Sequence, residues 1–293
     1  MLTPILAHVG QPLAPHDLWA MWNPDPVVIV GLALAGWSYR SGWLAIPPHR
    51  RSGRRAVLFS LGLGTIGLAL LSPIHALAGT LVSGHMIQHL LLMVVAAPLI
   101  ILGDPGMIMR GLPVDLRKAT GHLRRRLDLT PNRFRWSRHP VLVFLVYTGA
   151  LWLWHASVLY ETATGNEIAH GLEHGSFLLT ALLFWAVVVP RRSAPRIAPG
   201  VAVMLIFAVT MQGVLLSALM TFADQPWYPS YAETSALWGI DPLDDQRIAG
   251  LIMWIPSGLI FTMAALASMV AWINGNRSGR SQRVETGSSS HSD

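Results

Sequence analysis

The sequence contains no cysteine among its 293 residues, and only 12% of them are charged. The lack of cysteine excludes disulfide bonds, thiolate metal sites, four-cysteine iron–sulfur clusters and thiol catalysis. A metal must therefore be bound by histidine, methionine, carboxylate or backbone atoms. A soluble domain carries about twice this share of charge, whereas here 52% of residues are hydrophobic and the mean hydropathy is +0.46. This composition excludes a water-soluble enzyme and a disordered chain, and it predicts an all-α integral membrane protein.

Seven apolar stretches are long enough, or nearly so, to cross a bilayer core about 30 Å thick, which takes roughly 20 residues. We predict a seven-transmembrane helix bundle over residues 25–273, with an outer segment (1–24) before it and a disordered cytoplasmic tail (274–293) after it. No basic segment follows Met1, so we expect no cleavable signal peptide. The stretches are 27–46, 56–72, 83–103, 141–160, 168–189, 200–222 and 248–273.

The basic residues indicate the orientation of the bundle. Arg40 lies within the first stretch, and every other lysine and arginine except Arg247 follows the first, third, fifth or seventh stretch. Cytoplasmic loops retain positive residues, so we expect the N-terminus outside and the C-terminus in the cytoplasm, in a bacterial cytoplasmic (inner) membrane. The basic residues are dispersed and lack interleaved stacking aromatics, so we expect the lipid bilayer as a partner and no nucleic acid.

Ionisable residues cluster where this orientation places the outer ends of the helices, and such residues are costly in a membrane unless they serve a function. The third stretch begins with H-M-I-Q-H and the fifth with H-G-L-E-H, and residues three or four apart share one helix face. Neutral imidazole is the commonest metal ligand, so we predict one metal site toward the outside. The candidate ligands are His85, His89, His155, His170, Glu173 and His174.

Other polar residues near the outer side are assigned supporting roles or none. Residues from the start of the last stretch are expected behind the ligands: Asp244, Asp245, Gln246 and Met253. Lone histidines such as His75 are expected to be interfacial or hydrogen-bonded residues.

Several motifs between residues 83 and 261 occur in an order typical of one family. They are H-M-I-Q-H-L-L-L, A-P-L-I-I-L-G-D-P, L-W-L-W-H, H-G-L-E-H, W-Y-P-S-Y and D-D-Q-R-I-A-G-L-I-M-W. This order resembles the CtaG-like multi-span assembly factors of caa-type cytochrome c oxidase. The resemblance implies a function in producing active haem–copper oxidase at the stage of copper insertion, with an oxidase subunit as partner. It also implies a proline where Ser157 stands.

Three functions remain open at this stage. The first is an assembly factor that binds copper at the outer face, because histidine and methionine suit Cu(I). The second is a haem-binding electron-transfer protein, since histidines on facing helices can ligate haem axially, although the absence of C-x-x-C-H excludes covalent attachment. The third is a zinc hydrolase, because His170-x-x-Glu173-His174 matches the H-x-x-E-H signature with Glu173 as general base. We expect the first function, and a binding protein more than an enzyme.

Two further functions are disfavoured. A retinal protein needs a transmembrane lysine for its Schiff base, but the only lysine is Lys118, in a cytoplasmic loop. Transport through the bundle requires polar groups along its whole length, whereas the inner halves of the last five stretches are almost entirely apolar. The pattern favours a site on one side of the membrane.

Overall fold

The computed structural model describes residues 15–126, 139–189 and 197–288, and within these ranges it contains helices and no β-strand. The all-α class is therefore confirmed. Predicted features at 1–14, 127–138, 190–196 and 289–293 lie outside the described residues. Short 3₁₀ helices precede α1, α2 and α12. The helices are α1 (Pro26–Leu44), α2 (Gly53–Leu71), α3 (Pro73–Ala78), α4 (Val82–Leu90), α5 (Ala97–Leu102), α6 (Gly106–Gly111), α7 (Val114–Arg126), α8 (Pro140–His155), α9 (Ser157–Gly165), α10 (Glu167–Val188), α11 (Pro199–Thr221), α12 (Ala232–Leu237) and α13 (Pro242–Ser288).

Six helices in the described residues are long and apolar enough to cross a membrane, and they coincide with six of the seven predicted stretches. They make this a multi-pass membrane protein. The predicted fourth stretch is broken, because α8 ends at His155 and α9 continues at an angle of 73°. At about 1.5 Å per residue, α8 alone is shorter than the bilayer core. Seven spans result if the bent pair counts as one, so the count of seven stays a prediction.

Ser157, the position for which the resemblance implies proline, lies at the break between α8 and α9. Ser157 is the first residue of α9, directly after the extended Ala156. Proline is favoured at the first position of a helix because its missing N–H group has no partner there. The chain therefore turns at this point without proline.

The third span is continuous but changes its geometry in the middle. Residues 91–96 form a π-helical segment between α4 and α5. Pro98, two residues after this segment, has no N–H group to donate to the carbonyl four residues before it. The wider turn of a π-helix accommodates the loss of this hydrogen bond. The segment directly follows α4, which carries two of the histidines.

The last helix is longer than expected. Helix α13 runs to Ser288 and contains Pro256, so the structure has a helix at 274–288, where we expected a disordered tail. The limits of the three predicted regions of the chain stay a prediction.

Close helix packing fixes the third span against α2. Gly62 faces the start of α5, and a Cβ atom added there would lie 2.7 Å from Cγ1 and 3.0 Å from the backbone nitrogen of Ile100. Gly64, two residues later on the same helix, has no atom within 4 Å of an added Cβ. Replacement by alanine is therefore expected to have opposite effects at these two positions.

We expect Gly62→Ala to lower the stability of the detergent-purified protein by about 1–3 kcal/mol, the usual cost of overpacking. Gly64→Ala is the matched control and should be neutral or slightly stabilising, because alanine is the better helix former by about 1 kcal/mol. Thermal unfolding followed by tryptophan fluorescence measures both. Equal melting temperatures of the two variants would contradict the packing described here.

Candidate metal centre

Three spans bring the predicted ligands to one end of the bundle. Helix α4, the first part of the third span, contributes His85 and His89, and α10 contributes Glu173 and His174 from its N-terminal half. Helix α8 runs in the opposite direction to α10 and ends at His155. Because the spacing of three or four residues directs side chains to one face, the two helix starts present their polar residues to each other.

A carboxylate from a distant helix holds the start of α4 in place. Leu81, the residue that precedes α4, offers no side-chain cap. Instead, the buried Asp245 of α13 accepts hydrogen bonds from the backbone nitrogens of Val82, at 2.6 Å, and Ser83, at 3.2 Å. The hydroxyl of Ser83 also donates to this carboxylate. A negative charge at a helix N-terminus is stabilising, so Asp245 fixes the helix that carries two of the histidines.

His85, His89, Glu173 and His174 form one compact group, which we call the His/Glu group. Each can offer one ligand atom such that all four atoms lie within 4.8 Å of one another. The four residues are 0–7% exposed, and Glu173 is fully buried. The His/Glu group therefore has the residue types, the proximity and the shielding of a metal site.

Six of the eight side-chain nitrogen and oxygen atoms of the His/Glu group lack a hydrogen-bond partner within the described residues. Nε2 of His85 and Nε2 of His89 lie 3.4 and 3.5 Å from Oε1 of Glu173, without hydrogen-bond geometry. Both oxygens of Glu173 and Nε2 of His174 also lack a partner there. Burying a charge without compensation is strongly unfavourable, so the arrangement fits a bound cation that accepts these lone pairs.

The hydrogen bonds of His85 fix which nitrogen faces Glu173. Nδ1 of His85 lies 3.3 Å from the hydroxyl of Tyr231, which donates its own hydrogen to the carbonyl of Ala78 at 2.9 Å. Burial raises the pKa of the Tyr231 phenol, so this hydroxyl stays protonated. Nδ1 must then carry the hydrogen, and Nε2 presents a lone pair to the His/Glu group.

His155 and His170 flank the His/Glu group on different sides. The ring of His155 lies 6.0 Å from that of His89, between centroids. The ring of His170 is stacked on His85 at 5.4 Å and lies 4.3 Å from His174. His170 is only partly buried, so an imidazole extends from the buried ligands toward the surface.

His75 is a neighbour that the sequence interpretation did not place at the site. It is hydrogen-bonded, as expected: its Nδ1 accepts from Nε2 of Gln88 at 3.2 Å. Its ring is also stacked on that of His170 at 5.6 Å. Burial lowers the pKa of His75, with a further contribution from His85, so the ring is neutral near pH 7. In the sequence, the only indication of the contact between His75 and Gln88 is that Gln88 lies between the two histidines of H-M-I-Q-H.

Three tyrosines pack against the site next to α9 and the W-Y-P-S-Y segment, and the sequence interpretation did not include them. Tyr160 and Tyr228 are stacked at 3.8 Å between ring centroids, and Tyr160 lies 5.0 Å from the ring of His85. Tyr228 donates to the carbonyl of His155 at 3.0 Å. Together with Tyr231 they fill the space between α9 and the W-Y-P-S-Y segment. In the sequence, the only indication of a role for Tyr228 and Tyr231 is that they belong to the family motif W-Y-P-S-Y.

The residues expected behind the ligands have different surroundings. Asp245 caps α4, whereas the exposed Asp244 contacts Arg247 at 3.0 Å. Gln246 is buried, accepts from the backbone nitrogen of Trp227 and donates to the carbonyl of Met220. Met253 lines a small cavity next to His89 and His155.

Comparison with known proteins supplies the context for this geometry. The family described as cytochrome c oxidase caa3 assembly factor (Caa3_CtaG) matches residues 35–275. Uncharacterized proteins of Mycobacterium bovis (strain ATCC BAA-935 / AF2122/97) and Mycobacterium tuberculosis (strain CDC 1551 / Oshkosh) are each 22% identical over 293 residues, 97% of this chain and 44% of theirs. An uncharacterized protein of Mycobacterium leprae (strain TN) is 23% identical over 264 residues, 87% of this chain and 40% of its own.

The chain thus spans less than half the length of these curated relatives. No solved structure matches it. The family match covers most of the chain and includes all six predicted metal ligands, and the protein therefore belongs to the cytochrome c oxidase caa3 assembly factor family.

Proposed function

We propose that this protein binds copper through His85, His89, Glu173 and His174 and aids its insertion into a haem–copper cytochrome c oxidase. The observation that carries the proposal is the buried His/Glu group, whose ligand atoms converge without hydrogen-bond partners among the described residues. Imidazole alone suits zinc, copper, iron and nickel. Membership of an oxidase assembly family supports copper among these metals.

The cavity that adjoins His89 of the His/Glu group is too small for haem. The cavity beside His89 has a volume of about 60 Å³, whereas cofactor pockets measure about 300–1,000 Å³. Axial haem ligation also requires two imidazoles on opposite faces of a flat ring. Here the four candidate donor atoms lie within 4.8 Å of one another, which supports one metal ion.

The position of Glu173 disfavours a zinc hydrolase. In H-x-x-E-H enzymes the glutamate acts as a base on a zinc-bound water and is not itself a metal ligand. Glu173 instead lies within the His/Glu group and is fully buried. A carboxylate in this position is suited to balance the charge of a bound cation.

We propose that the His/Glu group faces the outside of a bacterial cytoplasmic membrane. The starts of α4 and α10 and the end of α8 carry the histidines, while the inner end of the third span is marked by the ion pair of Arg55 with Asp104 at 3.3 Å. The arginine-rich segments follow the opposite helix ends, and positive residues are retained in the cytoplasm. The partly buried His170 then gives the site an approach from the outer surface, where an oxidase subunit receives the metal.

Single-cysteine labelling tests the orientation, and the cysteine-free chain provides a clean background. We expect Glu167→Cys, exposed at the start of α10, to react with a membrane-impermeant maleimide in intact cells, because it lies on the outer side. His49→Cys, exposed before α2, should react only after the cells are opened. The reverse pattern would overturn the placement of the site.

Ligand removal tests the assembly function in cells. We expect His85→Ala and His174→Ala to insert normally but to lower haem–copper oxidase activity at least about tenfold, the loss typical of a damaged metal site. His49→Ala, far from the ligands and exposed, is the control and should leave activity unchanged. Normal activity in both ligand variants would reject the His/Glu group as an assembly site.

The neighbouring residues Asp245 and Asp244 test the role of the cap on α4. We expect Asp245→Asn to destabilise the protein by about 1–2 kcal/mol and to weaken copper binding, since an amide cannot accept charge-assisted bonds from both Val82 and Ser83. Asp244→Asn removes only an exposed contact and should change stability by less than about 0.5 kcal/mol. Thermal unfolding and copper titration measure both effects. Identical behaviour of the two variants would argue against the cap.

A further inference from the structure

We propose that the cavity between α4, α8, α11 and α13 is a second copper position, specific for Cu(I), held by His155, Met86 and Met253. The cavity shares His89 with the His/Glu group but is lined by none of the other three residues of that group. The proposal depends on the proposed function in one respect, which is that it takes copper as the metal.

The cavity combines a small volume with soft donor side chains. Its volume is about 60 Å³, which accommodates a single ion or a few water molecules. Its lining is mostly apolar, and the chemically distinctive residues among it are Met86, His89, Met93, His155 and Met253. Thioethers select Cu(I) over zinc and magnesium, so the donor set differs in kind from the His/Glu group.

His155 is the strongest single indication of a ligand. It is 4% exposed, and its Nδ1 lies 2.7 Å from the carbonyl of Leu151. A carbonyl only accepts, so Nδ1 carries the hydrogen and Nε2 a lone pair. Nε2 is buried without a hydrogen-bond partner in the described part of the chain. His155 lines the cavity and does not belong to the four residues whose ligand atoms converge.

The methionines occupy positions that the helix geometry directs at the cavity. Met86, His89 and Met93 are spaced three and four residues apart and share one face of the third span. Met86 is fully buried, and Met253 approaches from α13. A leucine would fill the same apolar volume, so the sulfur atoms are not required by packing alone.

His89 belongs to both positions. Its ring lies 4.3 Å from that of His85 and 6.0 Å from that of His155, between centroids. Neither ring nitrogen has a hydrogen-bond partner among the described residues. The ring can therefore present a lone pair to either side, and an ion can pass from the His/Glu group to the methionine-lined position through one shared ligand.

X-ray absorption on protein loaded anaerobically with Cu(I) tests the second position. We expect the wild type to bind a second copper ion per chain and to show a sulfur shell. In the double variant Met86→Leu/Met253→Leu the sulfur shell and that ion should disappear, while nitrogen and oxygen scattering remain. Met107→Leu, a buried methionine near the inner end of the bundle, is the control and should retain both ions. Size-exclusion profiles check that the variants are folded.

The variant His174→Ala separates this proposal from the proposed function. It should lose the ion held by nitrogen and oxygen but keep the sulfur-bound ion. Copper bound by the wild type with nitrogen and oxygen only, or a sulfur shell that survives in the double methionine variant, would overturn the second position alone. No copper in the wild type would overturn both proposals.

Discussion

The burial of Glu173 beside three imidazoles is the constraint on which the rest of the site depends. Its side chain is fully buried, and neither oxygen receives a hydrogen bond within the described residues. In a bilayer such a charge is tolerated only with a compensating partner. The lone pair that His85 directs at the same point cannot supply this compensation, whereas a cation satisfies the carboxylate and the imidazole together. This balance of charge supports the proposal that the His/Glu group binds a metal.

The architecture around Glu173 keeps its neighbours in position. Helix α4 has no local cap, and Asp245 on α13 supplies one. Tyr231 sets the hydrogen position on His85, and the carbonyl of Leu151 does the same for His155. Each of these contacts joins segments far apart in the sequence or lies at a helix end. The site is therefore a product of helix packing, and isolated motifs would not form it.

The sequence predicted the helices and the clustering of four candidate ligands because both depend on local periodicity. Apolar length identified six spans in the described residues, and the spacing in H-M-I-Q-H and H-G-L-E-H placed their polar residues on shared faces. The sharp turn after His155 was not predicted, since the apolar run continues through it. His75 and the tyrosines were missed as well, because their contacts depend on how α3, α9 and the W-Y-P-S-Y segment fold back on the bundle. Such long-range packing leaves no periodic signal.

The central claim is that the His/Glu group binds copper, and metal analysis tests it most directly. Detergent-purified wild type from cells grown with copper, and the double variant His85→Ala/His174→Ala, would be compared by mass spectrometry and absorption spectroscopy. The account predicts that the double variant binds one copper ion per chain fewer than the wild type, because the ion held by the His/Glu group is lost. A Soret band or zinc lost in the same variant, or no metal in either protein, would contradict it.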